Sequence, residues 1–216
     1  MQASQRAESA LNISHNQIRL LKSYHVPIWV CDNPDAEAVK PGLIRLVDRV
    51  QQQERGSSQS TKSNRGGWRS NTLSIREQGL EGLAAWLTKL LRPIVSPKYA
   101  YRLEPWLNIH YQHGFNLRHT HPGAVLSGVY YISVPDGSGS LVVEDPRAEA
   151  VFSRFDKYFQ YCEHEQLAHG LIGFTPREGR VIMFPSWLPH HVEVSDSTQP
   201  RISLPFNLIA KEKPNS

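Results

Sequence analysis

The chain has 216 residues, 39% of them hydrophobic, and a formal net charge of +4. That length holds one substantial core with helical additions but hardly two independent domains, so a single domain over residues 1–216 is expected. The sequence contains no apolar run of the roughly 18 residues a membrane helix needs, and its N-terminus lacks the apolar centre of a signal peptide. It therefore reads as cytoplasmic, with no membrane partner. Cys31 and Cys162 stand far apart in no CxxC pattern, which indicates neither a disulfide framework nor a zinc knuckle. The charge is uneven: residues 1–100 carry 14 Lys/Arg against 8 Asp/Glu, and residues 101–216 carry 10 against 12. No dense basic block or nucleic-acid motif accompanies the N-terminal excess, so no nucleic-acid partner is expected.

Residues 1–17 are polar and read as frayed, or as one short helix. Next, Val26, Ile28 and Val30 alternate with Pro27 and Trp29, which predicts a short strand. Pro27 cannot donate to a ladder, so that strand belongs at a sheet edge or begins near the proline. Leu43, Leu46, Val47 and Val50 recur at i, i+3, i+4 and i+7, the signature of an amphipathic helix starting near Pro41. Residues 55–66 are rich in Ser, Gly and basic side chains and read as a loop, followed by Gly67, Trp68, Arg69 and Ser70. A second helix is predicted over about 79–92, with Leu80, Leu83, Leu87 and Leu90 or Leu91 on one face and Pro93 ending it. Both helices are read as buttresses of a sheet, and residues 1–98 as its support.

After Tyr99 the texture changes to strand-like runs separated by turn residues: RLEPWLNIHYQ, VLSGVYYISV, GSLVVED, GRVIMFP, HHVEV and RISLPFNLIA. Six such runs predict a mainly β antiparallel sandwich or barrel over residues 99–210. The excursion at 145–177 is aromatic but lacks a strand pattern, and it reads as an insertion that can serve as a lid. Trp68 and Trp187 read as core aromatics.

Within NIHYQHGFNLRHTHPGAVLSGVYYI, His119 and His121 are two residues apart at the end of a strand-like run. Imidazoles at i and i+2 on an extended backbone point to one side and can chelate one metal. His190 and His191 form a second cluster about 70 residues later, far enough for intervening strands to fold back. His110, His113, His164 and His169 read as surface or hydrogen-bonded histidines. HTHP by itself also resembles the HxH of amidohydrolases, but these need a larger α/β barrel, and the C-terminal half shows no strand-helix alternation. A metallo-β-lactamase motif would need aspartate where Gly123 stands, and no GxSxG elbow indicates a serine hydrolase.

The order HTH, SGVYYI, a Gly-rich turn, GRVIMFPSWLPHHV and RIS resembles the 2-oxoglutarate/Fe(II)-dependent oxygenases over about residues 100–210. The segments around GGWRS look like those of a bacterial and phage-associated subgroup. The resemblance implies a double-stranded β-helix (jelly roll, cupin-like) flanked by N-terminal helices. It also implies Fe(II), 2-oxoglutarate and O2, with succinate and CO2 formed as a substrate is hydroxylated. That substrate would be a small molecule, an amino acid or a peptide; oligomeric state is left open. Carried over, His119 is the first metal ligand and His190 the distal one, in a P-H-x-V context like that of the prolyl hydroxylase branch. Arg201, 11 positions after His190, matches the residue that pairs with the distal carboxylate of 2-oxoglutarate, and Ser203 completes R-x-S. Tyr111 and Tyr131 resemble tyrosines lining the co-substrate pocket in that branch, though either could simply pack the barrel.

The chemistry fits the residue types. Two histidines and a carboxylate on one face leave positions on Fe(II) for a bidentate 2-oxo acid and dioxygen. A planar guanidinium can bind both oxygens of a buried carboxylate, with hydroxyls adding direction. One departure matters, because the family's carboxylate position is His121. Three readings follow: a three-histidine site, a two-histidine site with His121 outside it, or a carboxylate supplied by Glu144 or Asp145. The matching position favours His121 as a ligand. A cupin-like metal- or ligand-binding protein without oxygenase activity is the reading from a different class.

Overall fold

The computed structural model describes residues 26–54, 62–146 and 171–213. The expectations for residues 1–17, for most of the 55–66 loop and for most of the 145–177 excursion, with Cys162, His164 and His169, lie outside the described residues. Among the described residues the order is β1 (Trp29–Asp32), α1 (Ala36–Gln53), β2 (Asn64–Arg69), α2 (Glu81–Leu91), β3 (Tyr99–Pro105), β4 (Asn108–His119), β5 (Leu126–Ser133), β6 (Leu141–Glu144), β7 (Leu171–Phe174), β8 (Arg180–Pro185), β9 (His190–Val192) and β10 (Arg201–Glu212). The ten strands form one antiparallel sheet in the order β1-β8-β5-β10-β4-β9-β6-β7, with β2 attached to β4 and β3 to β10. β1 lies at the sheet edge and begins two residues after Pro27.

The central strands read as unbroken apolar runs because both of their faces are covered. In β5, Tyr130 and Ile132 face a core shared with the helices, while Val129 and Tyr131 face a second core. β8 divides the same way, with Val181 and Met183 on the helix side and Ile182 and Phe184 opposite. This is the period-two alternation of a strand, with apolar residues at both phases. The helices press Leu43, Leu46, Val47 and Val50 of α1 and Leu83, Leu87 and Leu91 of α2 onto the first core. Each such burial stabilises by about 1.5–3 kcal/mol. Gly128 lets β5 lie under the Phe206 ring, because a Cβ there would collide with it.

α1 begins at Ala36 rather than near Pro41, which lies inside the helix. Pro41 cannot donate to Glu37, yet the missing bond lies only one turn in, and the apolar face beyond it holds the helix on the sheet. The end of the predicted loop is strand: Asn64, Arg65, Gly67, Trp68 and Arg69 pair with β4. RLEPWLNIHYQ splits into β3 and β4, with a break at Trp106 and Leu107 where Ser70 Oγ accepts from Leu107 N–H at 2.8 Å. Both halves still run along β10. Trp68 packs against the first core, but Trp187 is 54% exposed and is not the core aromatic that was expected.

Candidate active site

Two strands and one turn bring the histidines together. His119 ends β4 and lies opposite His190 of β9, with ring centroids 4.2 Å apart. His121 lies just beyond β4, where its backbone N–H donates to Ser186 O at 2.9 Å. Its ring is 4.9 Å from that of His119 and 5.1 Å from that of His190. One nitrogen from each falls within 4.8 Å of the others.

Local bonds prepare two of these rings as ligands. His119 Nδ1 lies 2.7 Å from Leu117 O, and His190 Nδ1 lies 2.9 Å from Leu188 O, each the carbonyl two residues earlier. A carbonyl only accepts, so each Nδ1 carries the proton and each Nε2 keeps its lone pair for a metal. Ser63 Oγ stands 3.3 Å from His119 Nε2 and can donate to that lone pair. His121 Nδ1 has only a long approach, 3.5 Å, from the Asn207 amide nitrogen. Burial first, and then the charge of His119, push the His190 pKa down to about 3 and that of His121 down to about 4. Burial also lowers His119. All three are therefore neutral at pH 7, the form that binds metal.

The histidines face a cavity of about 590 Å³ that runs along β10. Arg201, Ser203, Pro205, Asn207 and Ile209 line it at every second position. Tyr131 of β5 and Asn108 of β4 both lie opposite Ser203 across the sheet and line the same cavity. Arg201 is 2% exposed; its Nη1 donates to Gly139 O at 2.7 Å, and the guanidinium lies 5.4 Å from the Tyr131 ring centre. Gly139 lies so close to the Glu193 carbonyl that a Cβ there would collide with it.

Arg201 Nε, Tyr131 Oη, Ser203 Oγ and Asn108 Oδ1 are buried without hydrogen-bond partners, and among the described residues Arg201 has no ion pair. Burial lowers the pKa of Arg201 and raises that of Tyr131. Each orphaned polar group costs about 1–3 kcal/mol, and an unpaired buried charge costs more. A small carboxylate would satisfy the guanidinium and both hydroxyls together. The donor set therefore fits a metal at the histidines and an acid at Arg201.

The remaining predicted residues fall elsewhere. Tyr111 is 47% exposed and outside the cavity lining. Strand alternation instead turns inward its neighbour His110, the cross-strand partner of Arg201. His110 is not a surface histidine: it is 1% exposed, and Asn116 is the polar side chain that acts on its ring. Among the described residues, the group that could hold a metal consists of the three histidines, and Glu144 instead binds Arg118 Nε at 2.5 Å and His191 Nδ1 at 3.2 Å. Asn108, Asn207, Arg69 and Trp106 also line the cavity and were not predicted. A period-two reading of RISLPFNLI would have found Asn207.

The sequence and the fold can now be compared with known proteins. Residues 104–207 match the family model described as "Putative 2OG-Fe(II) oxygenase". They place the chain among the 2-oxoglutarate/Fe(II) oxygenases. Solved oxygenases share the fold. A prolyl-4-hydroxylase from Pseudomonas putida is 13% identical, covering 85% of this chain and 92% of its own, with a TM-score of 0.58. A prolyl hydroxylase from Trichoplax adhaerens, solved with a peptide fragment of hypoxia inducible factor, is 13% identical over 84% of this chain and 83% of its own, with a TM-score of 0.59. HygX from Streptomyces hygroscopicus, solved with nickel, 2-oxoglutarate and hygromycin B, is 12% identical over 85% and 82%, with a TM-score of 0.57. No curated protein matches the chain. The oxygenase is a jelly roll that uses Fe(II), 2-oxoglutarate and O2. Among its described residues no helix is long and apolar enough to cross a membrane.

A pH dependence follows from the buried rings. His110 is pushed down to about 3 by burial and by the charge of Arg201, while its unfolded counterpart titrates near 6.5. The unfolded chain then binds more protons than the folded one between those values, so folding stability falls as the pH falls. The metal-free oxygenase should show a level Tm above about pH 7 and a Tm that drops steadily toward pH 3. His110→Phe, which cannot take a proton, should make that slope shallower; thermal unfolding followed by circular dichroism measures it.

Proposed function

We propose that this oxygenase hydroxylates a small molecule, an amino acid or a peptide, with His119, His121 and His190 holding Fe(II) and Arg201, Ser203 and Tyr131 holding 2-oxoglutarate. The observation that carries this reading is Arg201, a buried guanidinium that has no ion pair among the described residues and lines the cavity that the three histidines face. When bound, Fe(II) with 2-oxoglutarate and O2 supplies the oxidising power for a substrate C–H bond and yields succinate and CO2.

The chain's own residues bind, orient and exclude water. Leu117 and Leu188 carbonyls fix two imidazoles with Nε2 toward the metal. The Arg201 fork receives the distal carboxylate, Tyr131 and Ser203 hydroxyls donate to it, and Val129, Leu141, Phe184 and Val192 supply the apolar wall. Desolvation there strengthens each of these bonds. Relatives of the same fold solved with a peptide fragment and with hygromycin B support both substrate classes.

The test is anaerobic reconstitution with Fe(II) followed by 2-oxoglutarate. A visible metal-to-ligand charge-transfer band is expected to saturate at one equivalent per chain. A folded, iron-loaded protein without the band would sink the reading and favour a cupin-like binding protein.

A further inference from the structure

The cavity has a second polar end, on the His121 side, that the co-substrate assignment leaves unused. Arg69 of β2 is the cross-strand partner of Asn108, so both side chains lie on the inner face, and both line the cavity. The Arg69 guanidinium sits 4.8 Å from the Trp106 ring centre. Trp106 is 7% exposed, and its ring lies 5.8 Å from that of His121. Arg69 over Trp106, with the Trp106 ring tilted at 46° to that of His121, forms a contiguous row that places a cation at the His121 end of the cavity. The Ser127 hydroxyl donates to Asn207 Oδ1 at 2.8 Å on the same side.

The lining charges point the same way. The cavity is bordered by Lys62, Arg69, Arg118 and Arg201 against one acidic residue, Glu104. Glu104 is bonded to Arg102 at 2.6 Å, and Arg118 to Glu144 at 2.5 Å. Lys62 and Arg69 are both close enough for their charges to act on His121. Glu54 acts on Arg69 from outside the lining, where its carboxylate accepts from Asn71 N–H at 3.1 Å. Arg69 Nη1 also donates to Ser70 O at 3.2 Å, and the five N–H donors of a guanidinium let it hold an anion beside such partners. With histidine at the usual carboxylate position, no side chain of the cluster offsets the charge of a divalent metal.

We infer that the His121 end of the cavity is a substrate subsite for an anion, a carboxylate or a phosphate ester, anchored by Arg69 held against Trp106. The inference rests on the proposed function insofar as the co-substrate takes Arg201 and leaves this end to the substrate. Flat guanidinium and indole surfaces favour an acid attached to a planar or apolar body.

The test uses the anaerobic Fe(II)–2-oxoglutarate complex of the full chain, with phenylacetate, phenyl phosphate and the neutral phenylacetamide as probes followed by ligand-observed NMR. One acid or both should bind about tenfold or more tightly than the amide, the size of a charge-assisted hydrogen bond. Which acid prevails separates carboxylate from phosphate. Arg69→Gln should reduce that preference to about twofold while the charge-transfer band persists, and Arg69→Lys should keep part of it. Equal binding of amide and acids, no binding of either acid below about 10 mM, or a preference retained in Arg69→Gln overturns the inference. Absence of the band itself speaks against the proposed function, and the same NMR comparison on metal-free protein still decides the anion subsite.

Discussion

Replacing His190 with alanine is expected to lower Fe(II) affinity by more than about 100-fold, beyond the 10–100-fold typical of losing an outer-shell partner of a metal ligand. His190 is held on β9 directly across from His119, its Nδ1 is committed to the Leu188 carbonyl, and among the described residues the group that could hold a metal is completed by His119 and His121 alone. His121→Ala is the informative companion. If His121 is a ligand, iron affinity falls comparably and the charge-transfer band is lost. Iron affinity unchanged from wild type would exclude His121 from the metal. Equilibrium titration with Fe(II) under anaerobic conditions measures both variants, and far-UV circular dichroism separates lost ligation from lost folding.

Arg201→Met should raise the 2-oxoglutarate concentration needed for half-saturation by about 100-fold, since truncating one partner of a buried charge pair costs about 2–5 kcal/mol. A structural role predicts something different. In the metal-free protein Arg201 is buried and has no ion pair among the described residues, and methionine replaces its stem while removing that charge. The lost bond to Gly139 is offset by the relief of burying an unpaired cation, so stability should stay within about 2 kcal/mol of wild type. Loss of co-substrate affinity with the fold retained supports the assignment. Unfolding with no separate effect on affinity overturns it.

The strands and the helices were largely legible because apolar periodicity is a local property. VLSGVYYISV and GRVIMFP became β5 and β8, and the leucine spacings became α1 and α2. β2 was not legible, since NRGGWR has neither alternation nor β-branched residues and is extended only because β4 offers it a ladder. Pro41 misplaced the start of α1 for a related reason: the rule against internal proline weighs one missing hydrogen bond, whereas the packed face weighs four buried side chains.

The sequence by itself determined the chemistry available: His119, His121 and His190 in that order, Arg201 11 residues on, and no carboxylate in the HTH motif. Those are matters of residue type and spacing. Only the tertiary structure decided which side chains share a space. It turned Tyr111 outward and His110 inward, engaged Glu144 with Arg118 and His191, and set Arg69 on Trp106 beside His121. The physical reason is that facing and pairing depend on strand register and on the breaks within β4, where His113 takes a positive φ of 65°. Register is fixed by partners far away in the chain, which no local pattern contains.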